Sequence, residues 1–347
     1  MTTVVPRARV DAAGSAPAGG VAGAHATPGS GPTPGILGLG VHLPETVLSN
    51  ADLEQMVATS DTWILERTGI RERRRGGSGD TASRMGAAAA RRALEAAGNP
   101  AVDGIVVATA SSETRFPSAA CLVQRHLGLP AMPAFDVGAG CSGFVYGITI
   151  ADALIRAGRA ERMLVVGAES MTSLVDWTDR GTCILFGDGA GAAVVGVGAS
   201  GGIRAARWGA DGGDADLIHY GPPADGSPGG DAIRMMGKGT FRLAVERMTE
   251  TARLLCADAG WDPAEVDHIV PHQANLRIID AVARRLGLRD DQLVVNGDRF
   301  GNTSAASIPI ALGEAAQTGR IHPGDRVLCV AFGTGTTWGG IALEWTG

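Results

Sequence analysis

The chain has no basic run long enough to follow a phosphate backbone, and 30 Lys and Arg against 36 Asp and Glu leave a net charge of −6. Nucleic acid is therefore not an expected partner. No apolar stretch approaches the roughly 18 residues that a membrane span requires, because Gly, Arg, Asp or Pro interrupts every hydrophobic run. A spanning protein is excluded on the same ground. Cysteine is sparse and unpaired in pattern: Cys121, Cys141, Cys183, Cys256 and Cys329 are odd in number and widely spaced. That argues against a disulfide framework and for a reducing, cytoplasmic setting. Aromatics are few as well, with 7 Phe, 6 Trp and 2 Tyr.

Small and apolar residues are abundant instead. Of 347 residues 45% are hydrophobic, enough for one large core or two ordinary domains, and 52 are glycine. Backbones must then pack closely and turn often. Residues 1–34 contain 25 Ala, Gly, Pro, Ser or Thr, a composition that cannot bury enough apolar surface to order itself. The segment reads as a disordered tail without the apolar core of a secretory signal, and folded sequence is expected from about Gly35.

Beyond it, Val/Ile-rich runs at Gly104–Ala108, Met163–Gly167, Ala192–Val197, His268–Val270 and Val327–Ala331 alternate with amphipathic stretches such as Thr81–Ala97, closed by Gly98. The alternation predicts an α/β layered fold. An internal repeat supports it. Ala97-Gly98 before Val102-Asp103-Gly104-Ile105-Val106 returns as Ala259-Gly260 before Val266-Asp267-His268-Ile269-Val270. Leu127-Gly128-Leu129 returns as Leu286-Gly287-Leu288, and Gly158-Arg159 as Gly319-Arg320, at nearly constant separation. Two duplicated halves are expected, residues 35–200 and 201–347, with chemistry at the seam between them.

Gly138-Ala139-Gly140-Cys141-Ser142-Gly143 follows the strand-like Ala134–Val137 and precedes the helical Phe144–Arg156. Such an elbow sets a thiol at a helix N-terminus, where free N–H groups favour thiolate and can hold an oxyanion. The corresponding region of the second half carries His268 to Asn275 and then Gly301 to Ser307, so that the duplicate elbow is expected to bear Asn302. His268 and His272 lie four apart, yet Pro271 breaks the helix that a zinc pair would need, and no metal is expected. Phe186 to Ala192 satisfies a dinucleotide-binding spacing, but a strand pattern follows it rather than a helix; the glycines read as close packing. Cys141, His272 and Asn302 in that order fit either a papain-like hydrolase or acyl transfer to a thiol followed by carbon–carbon bond formation.

At these residues the chain resembles β-ketoacyl-acyl-carrier-protein synthase III, a condensing enzyme of the thiolase superfamily, over about Gly35 to Trp345. The blocks that carry the resemblance are Ser60 to Ile64 with Arg67 to Arg71, Phe116 to Cys121, Gly140 to Phe144, Thr178 to Thr182, Pro271 to Arg277 and Gly301 to Ser307. The resemblance implies a five-layered αβαβα homodimer without a cofactor, using acyl-CoA and malonyl-acyl-carrier protein as substrates. Cys141 would carry the acyl group, while His272 and Asn302 stabilise the enolate formed as carbon dioxide leaves. Thr59, Trp63, Arg67, Arg180 and Asn275 would bind CoA, with Trp63 and Arg180 sandwiching the adenine. Arg242 and Arg277 would receive the carrier protein. Phe186 and, across the dimer, Phe116 would wall the acyl pocket. Thr334 stands where glycine is usual, and its N–H would join that of Cys141 in an oxyanion hole. The same fold also serves relatives that transfer the acyl group to oxygen or nitrogen, and a non-catalytic carrier-protein scaffold is a third reading.

Overall fold

The computed structural model describes residues 24–25, 33–198, 200–223 and 229–346. Its principal strands are β1 (Pro34–His42), β2 (Gly104–Ala108), β3 (Ala134–Val137), β4 (Arg162–Ser170), β5 (Asp188–Val197), β6 (Gly202–Ala210), β7 (His268–Pro271), β8 (Arg326–Gly333) and β9 (Thr337–Glu344). Its principal helices are α1 (Ala82–Ala96), α2 (Ala119–Leu127), α3 (Gly143–Arg156), α4 (Gly237–Ala259), α5 (Leu276–Leu286) and α6 (Ser307–Gln317).

Two sheets repeat one topology. The first runs β1-β5-β4-β2-β3, antiparallel at β1/β5 and β5/β4 and parallel thereafter. The second runs β6-β9-β8-β7 with the same senses, and a lone parallel bridge from Ile269 to Leu293 stands where a counterpart of β3 would lie. α1 and α2 cover the outer face of the first sheet, α4 and α5 that of the second, and α3 and α6 fill the space between. The order is α/β/α/β/α, with the two duplicated halves that the repeat implied and the five layers that the resemblance implied. The central layer joins Phe144, Ile148, Ile308 and Leu312 to Val106 and Val165 of one sheet and Val270, Cys329 and Ile341 of the other. A face buried on both sides explains the continuous Val/Ile runs of β2, β4, β7 and β8.

The repeat glycines close equivalent helices. Gly98 and Gly260 end α1 and α4, Gly128 and Gly287 end α2 and α5, and Gly158 and Gly319 end α3 and α6, all with φ between 66° and 81°. Only a residue without Cβ adopts that left-handed conformation at no cost. α1 begins at the Thr81 cap, whose Oγ1 accepts the Arg84 N–H, and ends one residue before the expected boundary.

Several boundaries differ from the sequence reading. β5 starts at Asp188, so the glycine-rich segment is itself strand; a Cβ on Gly191 would lie 2.6 Å from Pro309. β1, β6 and β9 were not marked by Val/Ile runs, because glycine, alanine, arginine and tryptophan fill them. Within the expected tail, Ala24–His25 pair antiparallel with Ala206–Arg207 and Pro34 opens β1; the rest of residues 1–32 lies outside the described residues. No helix among the described residues is long and apolar enough to cross a membrane.

Candidate active site

Each central helix is entered through a tight turn at the seam. Gly140–Ser142 leads into α3 and Ser304–Ala306 into α6, and the two turns begin with left-handed residues, Gly140 at φ 49° and Ser304 at φ 47°. Cys141 occupies the apex of the first turn. Ala305, and not Asn302, occupies the apex of the second; Asn302 precedes it in the approach to the turn. Asn302 is fixed by its backbone, which donates to Leu185 O at 2.8 Å and accepts from Gly187 N at 3.0 Å. Its Oδ1 accepts the Ser304 N–H at 2.9 Å, which leaves the Nδ2 amide as the free donor.

His272 follows β7 directly, its N–H donating to Val330 O at 2.8 Å. Burial lowers the imidazole to about 3, so the ring is neutral at physiological pH. Nδ1 lies 2.7 Å from Ser307 Oγ, and that hydroxyl also receives the Gln273 N–H at 3.4 Å. With a donor already aimed at Oγ, the serine proton is assigned to Nδ1, and Nε2 then carries the ring's own hydrogen. His268 lies at the opposite end of β7, 3.2 Å from Asp325 Oδ2.

Cys141, His272, Asn302 and Ser304 line one cavity of about 390 Å³, together with Phe186, Asn275, Phe332 and Thr334. The volume falls in the range of small-molecule sites. Contrary to the expectation of a stabilised thiolate, the Cys141 thiol is pushed up to about 12: desolvation dominates, the Glu169 carboxylate adds to it, and hydrogen bonds from Ser304 and the Cys141 amide only partly oppose it. A helix N-terminus does not outweigh removal from water beside a buried carboxylate.

The turn after β8 touches the Cys141 elbow. A Cβ at Gly140 would strike the Thr334 side chain and come within 2.9 Å of Thr334 N, and one at Gly333 would lie 2.7 Å from Cys141 N. Positive φ in that turn falls on Gly335, at 120°, so the β-branched Thr334 keeps an ordinary backbone.

The remaining expected residues fall into groups. Trp63 is flanked by Arg180, 4.8 Å from the ring centroid, and Arg67, at 5.4 Å. Arg180 thus lies directly on the indole, with no gap for a second ring, and donates to Ala58 O at 3.1 Å. Thr59 Oγ1 is buried without a hydrogen-bond partner. Asn275 caps α5 by accepting the Arg277 N–H and donates to Arg67 O at 3.1 Å, tying the cavity lining to the Trp63 group. Arg242 and Arg277 are exposed. Phe186 is buried beside Asn302, whereas Phe116, 83% exposed, is no part of its own chain's cavity lining. The sequence reading gave no role to Ser307, Ser304 or Glu169. Their one sequence signal was polarity at the ends of apolar segments.

A duplicated five-layer frame with a thiol elbow at its seam is the architecture of the thiolase-fold condensing enzymes. Within that class, residues 135–212 match the family model of 3-oxoacyl-[acyl-carrier-protein] synthase III and residues 256–345 its C-terminal model. The β-ketoacyl-[acyl-carrier-protein] synthase III of Coxiella burnetii is 46% identical over 313 residues, 89% of this chain and 98% of the relative. The crystal structure of the corresponding enzyme of Aquifex aeolicus superposes with a TM-score of 0.85 at 46% identity, covering 90% of this chain and 100% of that one. The priming β-ketosynthase of the R1128 polyketide pathway gives 0.86 at 36% identity, over 91% and 97% of the two chains. The chain belongs to the β-ketoacyl-acyl-carrier-protein synthase III family.

Proposed function

We propose that the protein catalyses the first condensation of fatty-acid or polyketide assembly, taking an acyl group from acyl-CoA and extending it with malonyl-acyl-carrier protein. The observation that carries this reading is the single cavity in which a thiol from residues 35–200 meets an imidazole and a carboxamide from residues 201–347. Acyl transfer comes first: Cys141 Sγ attacks the thioester carbonyl, and the backbone N–H groups of Cys141 and Thr334 receive the developing oxyanion. Malonyl thioester then binds against His272 Nε2–H and Asn302 Nδ2–H. Both donors are neutral, so they stabilise the enolate oxygen without taking a competing proton. As carbon dioxide departs, the enolate carbon attacks the Cys141 thioester and the thiolate is expelled.

CoA enters past Thr59, Trp63, Arg67, Arg180 and Asn275. The adenine takes the place of the Arg180 guanidinium on Trp63, which requires that side chain to swing aside. Arg242 and Arg277 offer positive charge beside the mouth to an acidic carrier protein. The exposed Phe116 is accounted for by a homodimer, in which it walls the partner's acyl pocket opposite Phe186. No metal or organic cofactor takes part, and the setting is the cytoplasm.

The test is product mass after incubation with an acyl-CoA panel and malonyl-acyl-carrier protein. A carrier-bound 3-ketoacyl product with release of carbon dioxide is expected. An acyl ester or amide of an added acceptor, without carbon dioxide release, would replace this reading by acyl transfer to oxygen or nitrogen.

A further inference from the structure

The two oxyanion donors proposed above come from opposite halves of the chain, the Cys141 N–H from the first elbow and the Thr334 N–H from the turn between β8 and β9. Contacts between those two segments must set the distance from one donor to the other. Packing holds Gly140 against Thr334 and Gly333 against Cys141, and Thr337, the first residue of β9, adds directed bonds. Its Oγ1 donates to Ala139 O at 2.8 Å, and its carbonyl accepts from Ser142 Oγ at 3.2 Å. The two bonds bracket Cys141, one landing before it and one after.

Both ends of this link are themselves held in place. Ser142 and Thr337 are buried, and the Ser142 N–H closes the elbow on the same Ala139 O at 3.1 Å. Thr337 pairs with Gly333 across the turn and with Ala210 of β6, while Thr336 exchanges backbone hydrogen bonds with Asp211 at 2.8 and 2.9 Å.

The other half of the molecule makes the same fold without the link. Glu169 holds the place of Gly333, and the residue that pairs with Glu169 is Gly189, just as the residue that pairs with Gly333 is Thr337. Glycine has no side chain to donate. The elbow at Ser304–Ala306 is therefore built with no counterpart of the Thr337 hydroxyl, and the hydroxyl is found at the elbow that carries the thiol.

We propose that Thr337 is a positioning residue for acyl transfer, setting the Cys141 N–H against the Thr334 N–H so that both reach one thioester oxygen. This rests on the oxyanion hole of the function proposed above. An amide displaced by a fraction of an ångström still lies in the turn, yet meets the developing oxyanion at poor distance and angle. The loss falls on the rate of acylation. Donor binding is spared, and so are reactions of Cys141 that build no oxyanion.

The test compares wild type, Thr337→Val, Thr337→Ser and Ser142→Ala. Valine keeps the branched shape of threonine and removes its donor, leaving Ala139 O with the Ser142 N–H. Three single-turnover rates are read on each: acylation of Cys141 by acetyl-CoA, acylation by p-nitrophenyl acetate, and alkylation by iodoacetamide, a displacement that forms no oxyanion. In Thr337→Val the maximal acylation rate with both donors is expected to fall about tenfold, with half-saturation by acetyl-CoA and alkylation within about twofold of wild type. Thr337→Ser should restore acylation, and Ser142→Ala should lower it about threefold.

Acylation of Thr337→Val at the wild-type rate would overturn the proposal. An equal fall in alkylation would do the same, since it would mean a displaced thiol, as would weaker half-saturation with the maximal rate unchanged. If Thr337→Val does not fold, Ser142→Ala carries the comparison, and unchanged acylation there overturns the proposal. A wild type acylated by p-nitrophenyl acetate but by no acyl-CoA would refute the proposed donor, and the ester would still decide the role of Thr337. Acylation by neither would overturn both.

Discussion

The elbows at Gly140–Ser142 and Ser304–Ala306 share a backbone and differ in what lies beneath them. β8 passes under the first and presents Gly333, where a Cβ would meet Cys141 N at 2.7 Å; β4 passes under the second and presents Glu169, which accepts the Ala305 N–H at 3.4 Å. Gly333 and Glu169 hold equivalent places in the two halves. The second elbow's amide meets a carboxylate oxygen, whereas the first elbow's does not. Two similar helix entrances recur in the two halves, and the residue at each strand end, Gly333 or Glu169, distinguishes them.

Moving the thiol is the hardest way to break this comparison. Cys141→Ala is expected to abolish the acyl adduct seen by intact-protein mass, and adding Ala305→Cys is not expected to restore it, because a carboxylate faces that amide. An adduct at position 305 would show the elbows to be interchangeable. Smaller in effect is Ser307→Ala, which frees the His272 ring to change tautomer. It should slow malonyl decarboxylation about tenfold, the worth of one hydrogen bond near 1.4 kcal/mol, with rescue by Ser307→Thr. An unchanged rate would show that Ser307 does not set the donor.

Packing sharpens the contrast further. A Cβ on Gly167 would lie 2.4 Å from Ala305 O, so Gly167→Ala should cost about 1–3 kcal/mol in denaturant unfolding. The equivalent residue of β8 is Ala331, fully buried with its Cβ accommodated, and Ala331→Gly should cost only about 0.5–1 kcal/mol. The smallest expected effect is on pH dependence. With His272 lowered to about 3, decarboxylation should show no inflection near pH 6.5. The unfolded chain does bind that proton, so the residue's contribution disfavours the folded state increasingly as pH falls from about 6.5 towards 3. A break in the decarboxylation rate near 6.5 would mean an imidazolium donor.

The layered α/β fold was legible wherever strands are buried on both faces, since β2, β4, β7 and β8 are Val/Ile runs. β1, β6 and β9 were not, because close approach replaced bulk with glycine: a Cβ on Gly40 of β1 would overlap the backbone of α1 at Ala89. The duplication was legible through helix-ending glycines, whose left-handed conformation tolerates few substitutes. Cys141, His272 and Asn302 stood out as reactive types in distinctive contexts. Glu169, Ser304 and Ser307 did not, because their meaning lies in contacts across the seam between residues far apart in the chain. The expected thiolate went wrong for a related reason, as helix direction can be read from sequence and the depth of burial beside Glu169 cannot.

The division of labour between the halves is tested most directly by assaying both half-reactions on the same two variants. In Cys141→Ala, acylation by acetyl-CoA should vanish while malonyl decarboxylation persists; in Asn302→Ala, acylation should persist while decarboxylation falls by about 10²–10³. Loss of both half-reactions together in either variant would contradict the account.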